Sequence, residues 1–244
     1  DGTPLTKSDG VTATGLPDGF TVEATVIGSQ TIAGSSDNEI IIYAIKDADD
    51  NDVTNCFTNV TKEVGTLKVT KAPVTITTGS DSKEYDGTAL TKAEAGITGL
   101  VNGETATVTA TGSQTAMGSS TNTYSIDWGT TDSNNYAITE TLGTLTVTAN
   151  ATAEVKIIAA NAEKVYDGTE LTKTDGVTWE GLPDGFTVKA TSSGSQTNVG
   201  SGDNVVNDGY IIRSKNGANV TANFTKITKV KGTLKVTKAP VTIK

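Results

Sequence analysis

Phe20-Thr21-Val22-Glu23-Ala24-Thr25-Val26 alternates apolar and polar side chains without a break, and Phe186-Thr187-Val188-Lys189-Ala190 does the same. A period of two puts the two sets on opposite faces of an extended strand. Ala106, Val108 and Ala110 hold a weaker version in mid-chain. Two further segments follow the rule: Leu67 and Val69 point inward with Thr66, Lys68 and Thr70 outward, and Leu234 and Val236 inward with Thr233, Lys235 and Thr237 outward. Such strands belong to sheets with one face on a core and one in water. Thr is the commonest residue, and its branched Cβ favours the extended backbone. No stretch carries a 3.6-residue apolar stripe, so minimal helix is expected.

Self-comparison then divides the chain. Asp1-Gly2-Thr3 recurs at Asp86-Gly87-Thr88 and Asp167-Gly168-Thr169, at spacings of 85 and 81 residues. Leu-Thr-Lys follows each time, at Leu5, Leu90 and Leu171, then Gly-Leu at Gly15, Gly99 and Gly181. Gly-Ser-Gln-Thr comes next, from Gly28, Gly112 and Gly194, and each unit closes on Gly-Thr-Leu at Gly65, Gly143 and Gly232. Landmarks that keep one order through three passes define tandem copies of about 80 residues.

Pro17-Asp18-Gly19, Asn102-Gly103 and Pro183-Asp184-Gly185 supply tight turns, because Gly, and less readily Asn, accepts positive φ. Six or seven short strands per copy, with turns every 8–12 residues, imply a two-sheet sandwich. The expected fold is all-β: three Ig-like β-sandwich domains in an elongated array, with β-grasp-like repeats carrying one short helix as the alternative. The boundaries are 1–70 for repeat 1, which lacks its first strand, 71–149 for repeat 2 and 150–238 for repeat 3, with 239–244 an extra terminal strand.

Composition removes much chemistry. There is no His, one Cys and one Met, so a Ser-His-Asp triad, His metal ligands and a Cys redox pair are all excluded. The net charge of −9 argues against a nucleic-acid partner, which needs clustered positive charge. No apolar run approaches the roughly 18 residues of a membrane span. The chain opens at Asp1 without a leader, and is expected to be a processed or excised part of something longer.

Lys83-Glu84-Tyr85-Asp86-Gly87-Thr88, Lys164-Val165-Tyr166-Asp167-Gly168-Thr169, Asn135-Tyr136-Ala137-Ile138-Thr139 and Gly143-Thr144-Leu145-Thr146-Val147-Thr148 together resemble the YDG/MBG-type Ig-like tandem repeats of bacterial cell-surface adhesins and fibres. The resemblance implies an extracellular structural spacer, a stalk or pilus-like filament subunit, with no catalytic residue and no cofactor to carry over. Its partners would be further repeats or neighbouring copies of itself. An adhesin module gripping a host glycan or protein is the alternative function.

Copy 1 departs from the pattern, since it lacks the Lys-x-Tyr segment and the strand before it. A spare strand, Ala239-Pro240-Val241-Thr242-Ile243-Lys244, follows copy 3. Either an array is divided out of phase, or the strand is donated between chains, completing the first sandwich of the next molecule and hiding an open edge. Ala239, Pro240, Val241, Thr242 and Ile243 are therefore the candidate assembly residues.

Other candidates are weaker. Asp47, Asp49 and Asn51 alternate like part of a calcium loop, but lack its Gly and distal Glu. The Asp-Gly-Thr triplets lie in separate copies and read as turns, not as a protease dyad. The Gly-Ser-Gln segments precede no helix pattern and read as strand-end turns in which Gln bonds nearby backbone. Lys7, Lys92 and Lys173 with Asn38, Asn122 and Asn204 form a formal set for isopeptide bonds. Tyr85 and Tyr166 are expected to pin the entry strand to the core, and Cys56 to be a small residue at a strand start.

Overall fold

The computed structural model describes residues 1–244 and is built of strands joined by turns. Repeat 1 supplies β1 (Thr21–Ile27), β2 (Gly34–Lys46) and β3 (Gly65–Val69). Repeat 2 supplies β4 (Ala72–Thr78), β5 (Asp81–Glu84), β6 (Ala95–Thr98), β7 (Thr107–Ala110), β8 (Gly118–Thr121), β9 (Tyr124–Asp127), β10 (Tyr136–Thr141) and β11 (Thr144–Thr148). Repeat 3 supplies β12 (Asn150–Ile158), β13 (Ala162–Val165), β14 (Thr178–Glu180), β15 (Thr187–Lys189), β16 (Ser192–Ser193), β17 (Gly200–Val206), β18 (Ile211–Arg213), β19 (Phe224–Val230) and β20 (Gly232–Thr237). The only helical turns are three 3-10 segments, Thr54–Cys56, Ser133–Asn135 and Thr221–Asn223. The all-β expectation holds, and the α-helix of the β-grasp alternative is absent.

Two compact units group the chain. One comprises Asp1–Thr78, Glu94–Thr109 and Tyr124–Thr141; the other comprises Gly79–Ala93, Ala110–Thr123 and Leu142–Lys244. The first holds the sheets β1-β2-β3 and β10-β4-β6, and the second holds β5-β11-β8, β14-β12-β19 and β13-β20-β17-β16. Repeat 2 as read from the sequence thus gives one sheet to each unit.

Complete repeats share a topology. The first strand is central: β4 lies between β10, parallel, and β6, antiparallel. Likewise β12 lies between β19, parallel, and β14, antiparallel. Central strands lose both edges to partners, and their inward residues are sealed: Val74 and Ile76 in β4, Val155 and Ile157 in β12. The closing strand is central to the second sheet, with β11 between β5 and β8 and β20 between β13 and β17.

The alternating segments fold as their pattern dictates. Strand β1 exposes every other residue and pairs antiparallel with β2, with a bulge between Thr25 and Val26. Leu234 and Val236 of β20 are fully buried, as is Leu145 of β11.

The sequence landmarks meet in space. Leu of Leu-Thr-Lys and Gln of Gly-Ser-Gln-Thr bridge through paired backbone hydrogen bonds at Leu5–Gln30, Leu90–Gln114 and Leu171–Gln196. Each Gln also donates from Nε2 to a carbonyl two residues on, at 2.7 Å from Ile32, Ala116 and Asn198 oxygens. Recurrence in sequence here reflects recurrence of one backbone lock.

Candidate assembly site

Repeat 1 has neither a central strand nor the two strands that flank it elsewhere. The segments equivalent to β6 and β10, residues 11–14 and 57–62, have no strand structure. The reason is pairing: both equivalents bond only to the first strand in repeats 2 and 3, so without it they have no strand to form a ladder with. The core suffers too. Only Ile45 and Leu67 of repeat 1 are buried apolar residues, and Ile27, Ile32 and Ile42 are mostly exposed.

A second copy of the sequence that begins the central strand lies at the other end of the chain. Gly232–Ile243 repeats Gly65–Ile76 residue for residue, so Lys238-Ala239-Pro240-Val241-Thr242-Ile243 is a second copy of the linker and start of β4. Strand β20 ends at Thr237, and the predicted terminal strand Ala239–Lys244 is not a strand in the single chain. Val241 and Ile243 are 81% and 92% exposed, whereas their counterparts Val74 and Ile76 are sealed. A lone extended segment has no ladder partner and buries nothing, so nothing holds it in that conformation.

The Asp-Gly-Thr turns are locked locally. Asp86 Oδ1 accepts from Thr88 N and Oγ1, both at 2.8 Å, and from Lys83 Nζ at 2.8 Å. Asp167 repeats this with Thr169 and Lys164. Burial pushes the Asp86 carboxyl upward, but the bonds from Lys83 and Thr88 outweigh it and hold the group at about 2. Lys164 first, then Thr169, hold Asp167 well below the usual carboxylate range.

Beside this lock the two tyrosines part company. Tyr85 is 5% exposed and packs edge-on against Phe186 and Phe224 of repeat 3, with ring centroids 6.1 Å away in both cases. The two phenylalanines, 6% and 4% exposed, are themselves 6.0 Å apart and edge-to-face. Asn150 Nδ2 donates to Tyr85 O at 2.9 Å, and Gly87 lies so close to Phe186 that a Cβ there would stand 2.6 Å from Cζ. Tyr85 therefore pins its turn to the core of the following repeat, not its own. Tyr166 meets no such core and is 42% exposed, contrary to the expectation from sequence. The sequence pattern marks Phe186 only as an apolar strand position, and does not single out Phe224 or the contact of either with Tyr85. Phe186 directly precedes β15 after a Pro-Asp-Gly turn and Phe224 opens β19 after a 3-10 turn, and that placement is the available signal.

The recurrent Asn residues are structural. Asn204 and Asn122 are buried, and each donates to two carbonyls: Ala160 and Lys173 for Asn204, Gly79 and Lys92 for Asn122, all at 2.9 Å. Asn38 donates to Lys7 O at 2.9 Å. It is the Lys backbone, not Nζ, that faces the amide; Lys7 and Lys173 direct Nζ to Asp9 and Asp175. The geometry does not assemble an isopeptide site.

In the acidic loop, Asp47 Oδ1 accepts from Asp49 N at 3.0 Å and Asn51 N at 2.9 Å, and its carboxylate also receives Asn51 Nδ2. The loop is a self-capped turn, and no group of three or more His, Cys, Asp or Glu side chains is gathered to hold a metal. Cys56 is exposed on the 3-10 turn before Phe57, not at a strand start. Trp128 stacks on Tyr136 at 5.7 Å and 19°. A cavity of about 150 Å³ lies within the first unit and is lined by Asp1, Ala33, Asn102, Glu104 and Tyr136 among others.

No curated protein matches the chain. Among solved structures, the chain is similar to the surface glycan-binding protein SGBP-B of the Bacteroides ovatus mixed-linkage glucan utilization locus, solved with a mixed-linkage heptasaccharide. The identity is 12%, the TM-score 0.13, and the match covers 91% of this chain and 61% of that one, so the chain spans less than two thirds of its length. A likeness of that size carries no argument about fold or ligand. A family model does match: residues 74–146, nearly all of repeat 2, fit the family described as MBG domain (YGX type), which is the kind of repeat the sequence landmarks resemble.

Proposed function

We propose that this chain is a structural repeat region, a stalk or filament subunit, of a bacterial extracellular surface protein, and that copies join head to tail by donation of Ala239–Lys244. The role is mechanical, with no reaction and no cofactor. The observation that carries the reading is the position of the first strand in repeats 2 and 3. It is the central strand there, and a copy of its sequence stands unpaired after β20.

By the register of β4, donated Ala239 would pair with Phe57, Val241 with Asn59 and Ile243 with Thr61, in parallel. On the other side Thr242 would face Thr14, antiparallel. Backbone bonds on both edges and burial of Val241 and Ile243 drive the association. The MBG match in repeat 2 supports the surface-repeat setting.

Sedimentation velocity over a concentration series tests this. The full chain is expected to form linear oligomers, the chain ending at Lys238 to stay monomeric, and added peptide Lys238–Lys244 to cap growth. Equal assembly with and without the tail overturns strand donation.

A further inference from the structure

We infer that the Tyr166 face of repeat 3 and the Phe20–Phe57 pair of repeat 1 are the two halves of an aromatic joint between copies of this chain. This rests on the head-to-tail reading above and adds a second contact to it. The template is the internal joint in which Tyr85 enters the Phe186–Phe224 pair. Phe20 and Phe57 occupy the corresponding positions, after the Pro-Asp-Gly turn and after the 3-10 turn. They are already arranged for it: their centroids are 6.2 Å apart at 75°, against 6.0 Å and 89° for the occupied pair. Both are half-buried, where Phe186 and Phe224 are sealed beneath Tyr85.

The donor half is equally prepared. Tyr166 N donates to Thr237 O at 2.8 Å, as Tyr85 N donates to Thr148 O at 2.9 Å, so both rings are held by the end of the closing strand. In each repeat that end is followed directly by the segment that becomes, or would become, the next central strand. A tail laid into repeat 1 would therefore carry Tyr166 to the phenylalanine pair.

Glycine packing gives an independent sign. A Cβ on Gly2 would stand 2.6 Å from Asn102 Cβ, and one on Gly87 2.6 Å from Phe186 Cζ, so both turns press on the following repeat. Gly168, with the same positive φ, meets nothing within 4 Å. The third turn is the same knob without its surface. Cys56 replaces Asn223, whose side chain bonds the Tyr85 side chain. The lone thiol thus falls beside the incoming Tyr166 hydroxyl.

The association constant of the full chain is compared with that of Tyr166→Ala, of protein alkylated at Cys56 with N-ethylmaleimide, and of the chain ending at Lys238. Both the Tyr166→Ala and the alkylated protein are expected to associate roughly 10- to 100-fold more weakly, the range of a buried aromatic anchor. Unchanged association in both, with assembly lost on removing the tail, overturns the joint and leaves strand donation standing. Loss in both, with no effect of the tail, supports the joint and removes strand donation. Absence of self-association in the full chain overturns both.

Discussion

Asn204 Nδ2 donates to Ala160 O and to Lys173 O, each at 2.9 Å, tying the turn between the first two strands of repeat 3 to its Leu-Thr-Lys segment. The amide is fully buried, and Ser192 Oγ also approaches it at 3.1 Å. Removing it strands two acceptors in the interior. Asn204→Ala is therefore expected to destabilise the protein by about 2–3 kcal/mol, read as a shift of the urea midpoint. Asn38→Ala, which breaks a single bond at a half-exposed site, is expected to cost under about 1 kcal/mol.

Gly194 lies against the same Asn. A Cβ there would stand 2.2 Å from Asp203 O and 3.0 Å from Asn204 Cα, both backbone atoms that have no slack in a paired strand. Gly194→Ala is expected to be as damaging as the loss of the amide, about 2 kcal/mol or more by thermal unfolding. Gly217→Ala is the control for turn strain alone, since its positive φ is unaccompanied by any neighbour within 4 Å.

Much of this was legible beforehand and some was not. The period-two pattern fixed β1 and β20, because a strand with one wet face writes its geometry into consecutive residues. The landmarks Leu-Thr-Lys and Gly-Ser-Gln-Thr announced that they mattered, though not that Leu171 and Gln196 bond to each other. Partners far apart in sequence leave no local trace, so the parallel pairing of β4 with β10 could not be read from either strand. Tyr85 was misplaced for the same reason. Its role looks internal because Tyr-Asp-Gly sits at the entry of its own repeat, while the ring is buried by Phe186 and Phe224, more than a hundred residues downstream.

The two tyrosines make a matched pair for mutation. Tyr85→Ala empties a three-ring cluster and is expected to cost about 3–4 kcal/mol. Tyr166→Ala in dilute, monomeric protein should change stability by less than about 0.5 kcal/mol. Comparable losses for the two in chemical denaturation would contradict the burial difference.

Acid should weaken the turn locks. Asp86 and Asp167 titrate below their unfolded value, so the stability they add is present above pH about 4 and is lost as pH falls through the folded value, about 2 for Asp86. Asp86 is 45% exposed, and with solvent screening its share is about 1 kcal/mol. Thermal unfolding between pH 7 and 2 is expected to show a steeper acid decline for the wild type than for Asp86→Asn. Parallel curves would dismiss the lock.

Alkali acts on another pair. Tyr136 Oη accepts from Val101 N at 3.2 Å and donates to Glu104 Oε2 at 2.6 Å, and burial first, then Glu104, raises its ionisation. A group raised on folding stabilises below its unfolded value and gives that up as pH climbs beyond about 10. Tyr136→Phe is expected to lose about 1–2 kcal/mol at neutral pH and to flatten the alkaline decline of stability.

A strand that is both first in its repeat and central in its sheet sets the order of events during synthesis. Strand β4 leaves the ribosome long before β10, whose edge it must share, and only the short β6 is available to it in the interval. Repeats 2 and 3, while nascent, must each keep a sticky, half-matched ribbon out of trouble until some sixty further residues have emerged. Through that interval the open edge of the ribbon is free to pair with any other strand within reach.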